Sequence, residues 1–163
     1  MVLFMVIIAS FAMVFPSGYH LNLKTYRQNQ AVDLADAILQ EIISKPFSVG
    51  PGDLNTGDSL ENLRSWTSAG GDCGTAPGCW APHALAQFVA NNPAIEAQYH
   101  YTLPRASSNQ PGIQVVFLNG GAPTLAGYNP LAQITVNLAW TDNSQGVLVP
   151  RLITVRGFAT YDR

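Results

Sequence analysis

The sequence predicts an α+β chain in which one long N-terminal helix, apolar in its first half and amphipathic in its second, packs on a roughly four-stranded antiparallel sheet. Three observations lead there. From Met1 to Leu23 there is no Asp, Glu, Lys or Arg, and Met1 to Phe15 is almost wholly apolar. Apolar residues then recur at helical spacing from Ala31 to Ile42. Beyond Asn91 come short runs rich in β-branched and aromatic residues, bounded by Gly, Pro, Asn or Ser.

The 163 residues suffice for one compact domain. Charged residues are 11% of the chain and apolar residues 47%, where ~25% charged is usual. That balance suits a chain lying partly in lipid or partly inside an assembly. The net charge is −2 and the 8 Lys and Arg residues are scattered singly. No basic stripe exists to neutralise phosphates, so no nucleic-acid partner is indicated.

Three readings compete for the first segment. A cleavable secretory signal opens on a basic region and closes on a small-residue site. Here no Lys or Arg precedes the apolar run, and Phe15-Pro16-Ser17-Gly18 matches that site poorly. A buried helix of a soluble protein would be unusual at residue 1 with no polar face. A membrane helix needs ~20 apolar residues, more than Met1 to Phe15 supplies. A membrane segment whose true start lies upstream reconciles these facts, and Met1 is expected to be an internal or misassigned start. The chain then divides into a membrane segment, 1–23, and an extracytoplasmic globular domain, 24–163.

Pro16 and Gly18 interrupt the helix, since Pro removes a backbone hydrogen bond and Gly is a poor helix former. Tyr19 to Tyr26, with Lys24, has the aromatic and basic character of a membrane interface. Then Ala31, Leu34, Ala35, Ile38, Leu39 and Ile42 form one apolar stripe, with Asp33, Asp36, Gln40 and Glu41 on the other face. Lys45 suits the last turn and Pro46 ends the helix. A signal peptide followed by an ordinary core helix is the alternative.

Ser48 to Gly71 reads as an irregular connection with at most one short helix around Leu60 to Trp66. Cys73 and Cys79, the only cysteines, flank a Gly- and Pro-containing loop and suit a short disulfide-closed loop in an oxidising compartment, contributing about 2–3 kcal/mol. Metal binding by Cys73, Cys79 and His83 is the competitor, but a fourth ligand and a tighter Cys spacing are missing. Pro82 to Asn91 reads as a short helix. Strands follow at Ala97–Leu103, Ile113–Leu118, Ala132–Trp140 and Val147–Gly157, with Thr141 to Gly146 as a turn making the last two a hairpin. Ile134, Val136 and Leu138 alternate with polar residues, so that one face of this strand covers Leu34, Ala35, Ile38, Leu39 and Ile42. Pro150 implies a bulge or an edge position.

No nucleophile elbow, phosphate loop, zinc-protease helix or paired carboxylate set occurs, so no catalytic residue, metal site or cofactor is expected. His20, His83 and His100 stand in unrelated contexts. Asp53, Asn55, Asp58 and Glu61 are rich in oxygen ligands, but Gly57 stands where a calcium ligand is wanted, and a solvated loop is the better reading.

Two stretches carry a family resemblance. AVDLADAILQEIISKPF, Ala31 to Phe47, and ITVNLAWTDNSQGVLVPRLITVRGF, Ile134 to Phe158, resemble the type IV pilin-like family, in particular minor pilins of the PilV type and minor pseudopilins of type II secretion. The resemblance covers the helix and the hairpin, and hardly the middle. It implies a structural subunit, not an enzyme, that acts in filament initiation or tip assembly. Its partners would be other pilin or pseudopilin subunits in a helical filament, the inner-membrane assembly platform, and the lipid bilayer before assembly. The implied location is the bacterial inner membrane, single-pass with a periplasmic domain, and then an extracellular or periplasmic filament. Phe4, Ile7, Ile8, Phe11 and Phe15 would pack in the filament core, and the Pro16–Gly18 interruption would let the helix bend on extraction.

The family's basic leader, Gly before the cleavage point and early Glu are absent, and Met5 cannot stand in for that acid. Matching Pro16 to the family's helix-interrupting proline puts the mature start about six residues upstream of Met1, which also completes a membrane span. Two further readings carry less: a ligand-binding module at a filament tip using Trp66, Trp80 and the cysteine loop, and a small anchored enzyme using His83 or His100.

Overall fold

The computed structural model describes residues 24–47, 59–61, 63–64, 82–104, 108–118, 131–144 and 147–160. Helix α1 spans 24–43. Ala31, Leu34, Ala35, Ile38, Leu39 and Ile42 return to one side of a 3.6-residue helix, and each is at most 5% exposed. Asp33, Asp36 and Gln40 face solvent. The helix closes where Ser44 N–H donates to Gln40 O and Lys45 N–H to Ile42 O, just before Pro46. Leu60, Glu61, Leu63 and Arg64 are helical. Leu60 N–H donates to Pro46 O and Glu61 N–H to Phe47 O, which hangs this turn on the end of α1 with Leu60 and Leu63 fully buried.

Two short helices follow, α2 (His83–Asn91) and α3 (Pro93–Tyr99). Asn92 separates them, with φ −130° and ψ 54°, because a proline disfavours helical backbone in the residue before it. His100 closes α3 in the left-handed region at φ 48°, its N–H donating to Glu96 O.

Among the described residues the sheet has three antiparallel strands in the order β1 (Ile113–Phe117), β2 (Leu131–Ser144) and β3 (Val147–Thr160). Val136 lies between Ile113 and Val155, and Ile134 between Val115 and Gly157. Ala132, Ile134, Val136, Leu138 and Trp140 are buried and share one core cluster with the α1 stripe. Gly157 marks the close approach of helix to sheet: a Cβ there would lie 2.9 Å from Ile43 Cδ1 and 3.1 Å from Leu39 Cδ2. Beside β1, Asn137 anchors the preceding loop by donating from Nδ2 to Pro111 O at 2.7 Å.

β3 ends the sheet among the described residues. Ala139 N–H and C=O both bond Thr102 on the far side, and antiparallel bonding alternates along the strand. Thr141 therefore also points its amide and carbonyl away from β3. Pro150, its partner across the pair, turns its nitrogen to the outer edge, where a missing donor costs the ladder nothing.

The expected fold needs correcting. The sheet has three strands, not four, among the described residues. Ala97 to Leu103, expected as a strand, is instead the end of α3 as far as Tyr99, after which only Thr102 makes an isolated bridge to Ala139. Pro93 at the first helical position and Glu96 in the first turn favour that helix. Thr141 to Ser144, expected as turn, continues β2, and β3 runs past Gly157 to Thr160.

Nor is the described helix the long, initially apolar element anticipated. α1 carries Lys24, Arg27, Asp33, Asp36 and Glu41, and among the described residues no helix is long and apolar enough to cross a membrane. A single-pass inner-membrane placement is withdrawn on that finding. The segment 1–23, with Phe4, Ile7, Ile8, Phe11, Phe15, Pro16 and Gly18, lies outside the described residues.

Candidate functional site

The concentrated polar chemistry of the described residues lies where residues 24–28 of α1 meet the β2–β3 hairpin. One turn of α1 supplies Lys24, Arg27 and Gln28, β2 supplies Trp140 and Asp142, and β3 supplies Arg151 and Leu152. Together they line a cleft of about 180 Å³. Trp140 and Arg151 stand directly opposite in the strand register, so the cleft floor is set by the hairpin's pairing.

Asp142 is 5% exposed. Its Oδ1 accepts from Arg27 Nη1 at 3.1 Å, and its Oδ2 lies 3.9 Å from Arg151 Nε. A carboxylate this buried needs such partners to offset lost hydration. The Arg27 guanidinium also rests over the Tyr99 ring, 4.3 Å from its centroid, so a cation–π contact fixes it from a second side. Arg151 Nε is buried and has no hydrogen-bond acceptor.

Behind the cleft wall stands an aromatic row. Tyr101 stacks on Trp140 with centroids 6.3 Å apart and meets Phe88 edge-on at 5.2 Å. Glu96 Oε2 accepts from Tyr101 N–H at 3.1 Å. The Tyr101 hydroxyl is buried without a partner. Its pKa is pushed up to about 12, first by burial and then by the neighbouring Tyr99. Burial also raises Tyr99, against the opposing pull of Arg27.

A larger, more open groove of about 710 Å³ runs between α1 and α2, with Tyr26, Asn29, Gln30, Gln87, Phe88 and Asn91 among its walls. Glu41 fixes α2 against α1 by accepting from His83 N–H and Ala84 N–H, both at 2.9 Å. Pro82 at the N-cap offers no side-chain hydrogen bond, so this carboxylate from another element satisfies amides that would otherwise be orphaned.

The residues expected to join helix and sheet, Leu34, Ala35, Ile38, Leu39, Ile42, Ile134, Val136 and Leu138, are all buried in the one core cluster. Cys73, Cys79, Trp66, Trp80, Asp53, Asn55, Asp58 and His20 lie outside the described residues. Among the described residues no group of three His, Cys, Asp or Glu is placed to hold a metal. His83 and His100 are exposed on separate elements. Sequence reasoning missed Arg27, Asp142 and Arg151. The Arg27–Asp142 contact spans 115 positions, and Asp142 sits in a TDN stretch that reads locally as a turn. The one local hint was Arg151, one of two basic residues in a mostly apolar strand. The chain matches no family model, no curated protein and no solved structure.

Proposed function

We propose that this chain is a structural subunit of a filament of the type IV pilus or type II secretion kind, a minor pilin or pseudopilin acting in filament initiation or tip assembly. One observation carries the reading. The two stretches that bear the family resemblance, Ala31 to Phe47 and Ile134 to Phe158, are packed on each other, with Leu39 and Ile43 at Gly157. Independent resemblances that meet in one core support a common origin better than either alone. On this reading the partners are other pilin or pseudopilin subunits and the assembly platform.

A second reading, a ligand-binding module displayed at a filament tip, is favoured by the cleft at Arg27, Asp142 and Arg151. The test is made on filaments sheared from cells of the native source. Mass spectrometry is expected to find this chain in them at far below the amount of the main subunit. Deleting its gene should lower filament number, and complementation should restore it. A chain absent from the filaments, with filament number unchanged by deletion, overturns the proposal.

A further inference from the structure

We infer that the cleft between α1 and the β2–β3 hairpin binds an acidic peptide, taking one carboxylate side chain of a partner protein together with an apolar neighbour. The inference stands apart from the filament reading and does not need it. It rests first on charge. Lys24, Arg27 and Arg151 surround a single carboxylate, Asp142, so the cleft retains an excess of positive charge that Asp142 does not offset. Walls of low polarisability focus that charge on whatever enters.

The donors are also unequally used. Arg27 is held in place by Asp142 at 3.1 Å and by the Tyr99 ring. Arg151 is held less closely: its Nε lies 3.9 Å from Asp142 Oδ2, an ion pair too long for a hydrogen bond, and its side chain is 39% exposed. A partly exposed guanidinium that Asp142 holds only at ion-pair distance can take a second carboxylate as well. A guanidinium suits a carboxylate because its planar fork matches both oxygens.

Shape and polarity narrow the ligand. About 180 Å³ admits a side chain and its neighbour, not a large cofactor. Trp140 gives the cleft an apolar side, which a bare inorganic anion would leave unused. The Asp142 carboxylate, 5% exposed, repels a dianion more than a monoanion. These features together favour a carboxylate carried beside an apolar group over phosphate.

The experiment is an NMR titration of the isotope-labelled full chain. Its probes are N-acetyl-Leu-Glu-Leu-amide, the Gln counterpart of that peptide, sodium acetate and inorganic phosphate. The Glu peptide should give saturable shifts at the Trp140 indole N–H and the Arg151 Nε–H. The Gln peptide, acetate and phosphate should each bind at least about tenfold more weakly, since each lacks either the charge or the apolar flank. Arg151→Gln should lower affinity for the Glu peptide by about tenfold. Lys24→Gln, a change at an exposed position, should lower it less and leave the thermal midpoint unchanged.

Several results would overturn the inference: no saturable shift up to about 10 mM Glu peptide, a concentration that reaches very weak sites, equal binding of the Gln peptide, or full affinity in Arg151→Gln. Acetate binding as tightly as the Glu peptide would assign the cleft to small free carboxylates. Phosphate binding as tightly would make it a general anion site. Either of these also removes the peptide as its ligand.

Discussion

Tyr101 is 2% exposed, wedged between Phe88 and Trp140, and its hydroxyl meets no partner. Its ring fills space well while its polar atom is left without a hydrogen bond, a loss of about 1–3 kcal/mol when a donor is buried this way. Tyr101→Phe should therefore leave stability unchanged or raise it. The same group shapes alkaline unfolding. Below pH 10, the ordinary tyrosine value, the folded and unfolded chains both keep the proton. Above it the unfolded chain ionises first, while the folded chain holds the proton until about pH 12. Stability thus falls across that window. Urea midpoints measured against pH should fall less steeply in Tyr101→Phe, Tyr99 accounting for part of the remaining slope; an unchanged slope would show that Tyr101 is not the group concerned.

Asn137 is the contrasting case, 3% exposed and fully engaged. Its Nδ2 donates to Pro111 O, its Oδ1 accepts from Thr154 Oγ1 at 2.6 Å, and its backbone N–H donates to Gly112 O. Asn137→Leu leaves Pro111 O and the Thr154 hydroxyl without these bonds and should cost about 1–3 kcal/mol in urea unfolding. A cost below the error of the fit would mean that water replaces the amide.

At the scale of elements, α2 depends on a carboxylate that is remote in sequence. Removing a helix cap typically costs about 0.5–2 kcal/mol, and Glu41 bonds two amides of α2 at once. Glu41→Ala should fall at the upper end of that range, and Glu41→Gln should recover part of the loss. Amide exchange at His83 and Ala84 reads this directly and should speed up in both variants. Unaltered exchange would place the support of α2 elsewhere. α3 shows how an element can be misread. Tyr99 and Tyr101 look like strand residues, yet Pro93 and Glu96 start a helix and His100 ends it in a left-handed cap. The start and stop signals outweigh the propensity of the residues between them.

For the whole molecule, the spacing between α1 and the sheet is set at Gly157. The atoms that a Cβ would meet are the ends of the Ile43 and Leu39 side chains, which can shift. Gly157→Ala should consequently be mild. Gly157→Val has no such room and should cost about 1–3 kcal/mol, the usual result of overfilling a packed interior. Thermal melts of the two variants give the order; a Val variant as stable as the Ala variant would mean that the helix rides freely on the sheet.

Sequence alone determined the features that rest on local periodicity. The positions from Ala31 to Ile42 repeat at 3.6 and mark the face of α1 that is buried, and alternation marks Ile134, Val136 and Leu138. Solvent exposure follows such periods because a helix or a strand carries them without help from the rest of the chain. Tertiary structure decided the number of strands, the Glu41 cap and the whole of the cleft. Each of these needs groups far apart in the chain to arrive at one place, as Arg27 does at Asp142 across 115 positions. No local pattern records that arrival, because the energy that selects it, the burial and pairing of charge, exists only once the core has formed.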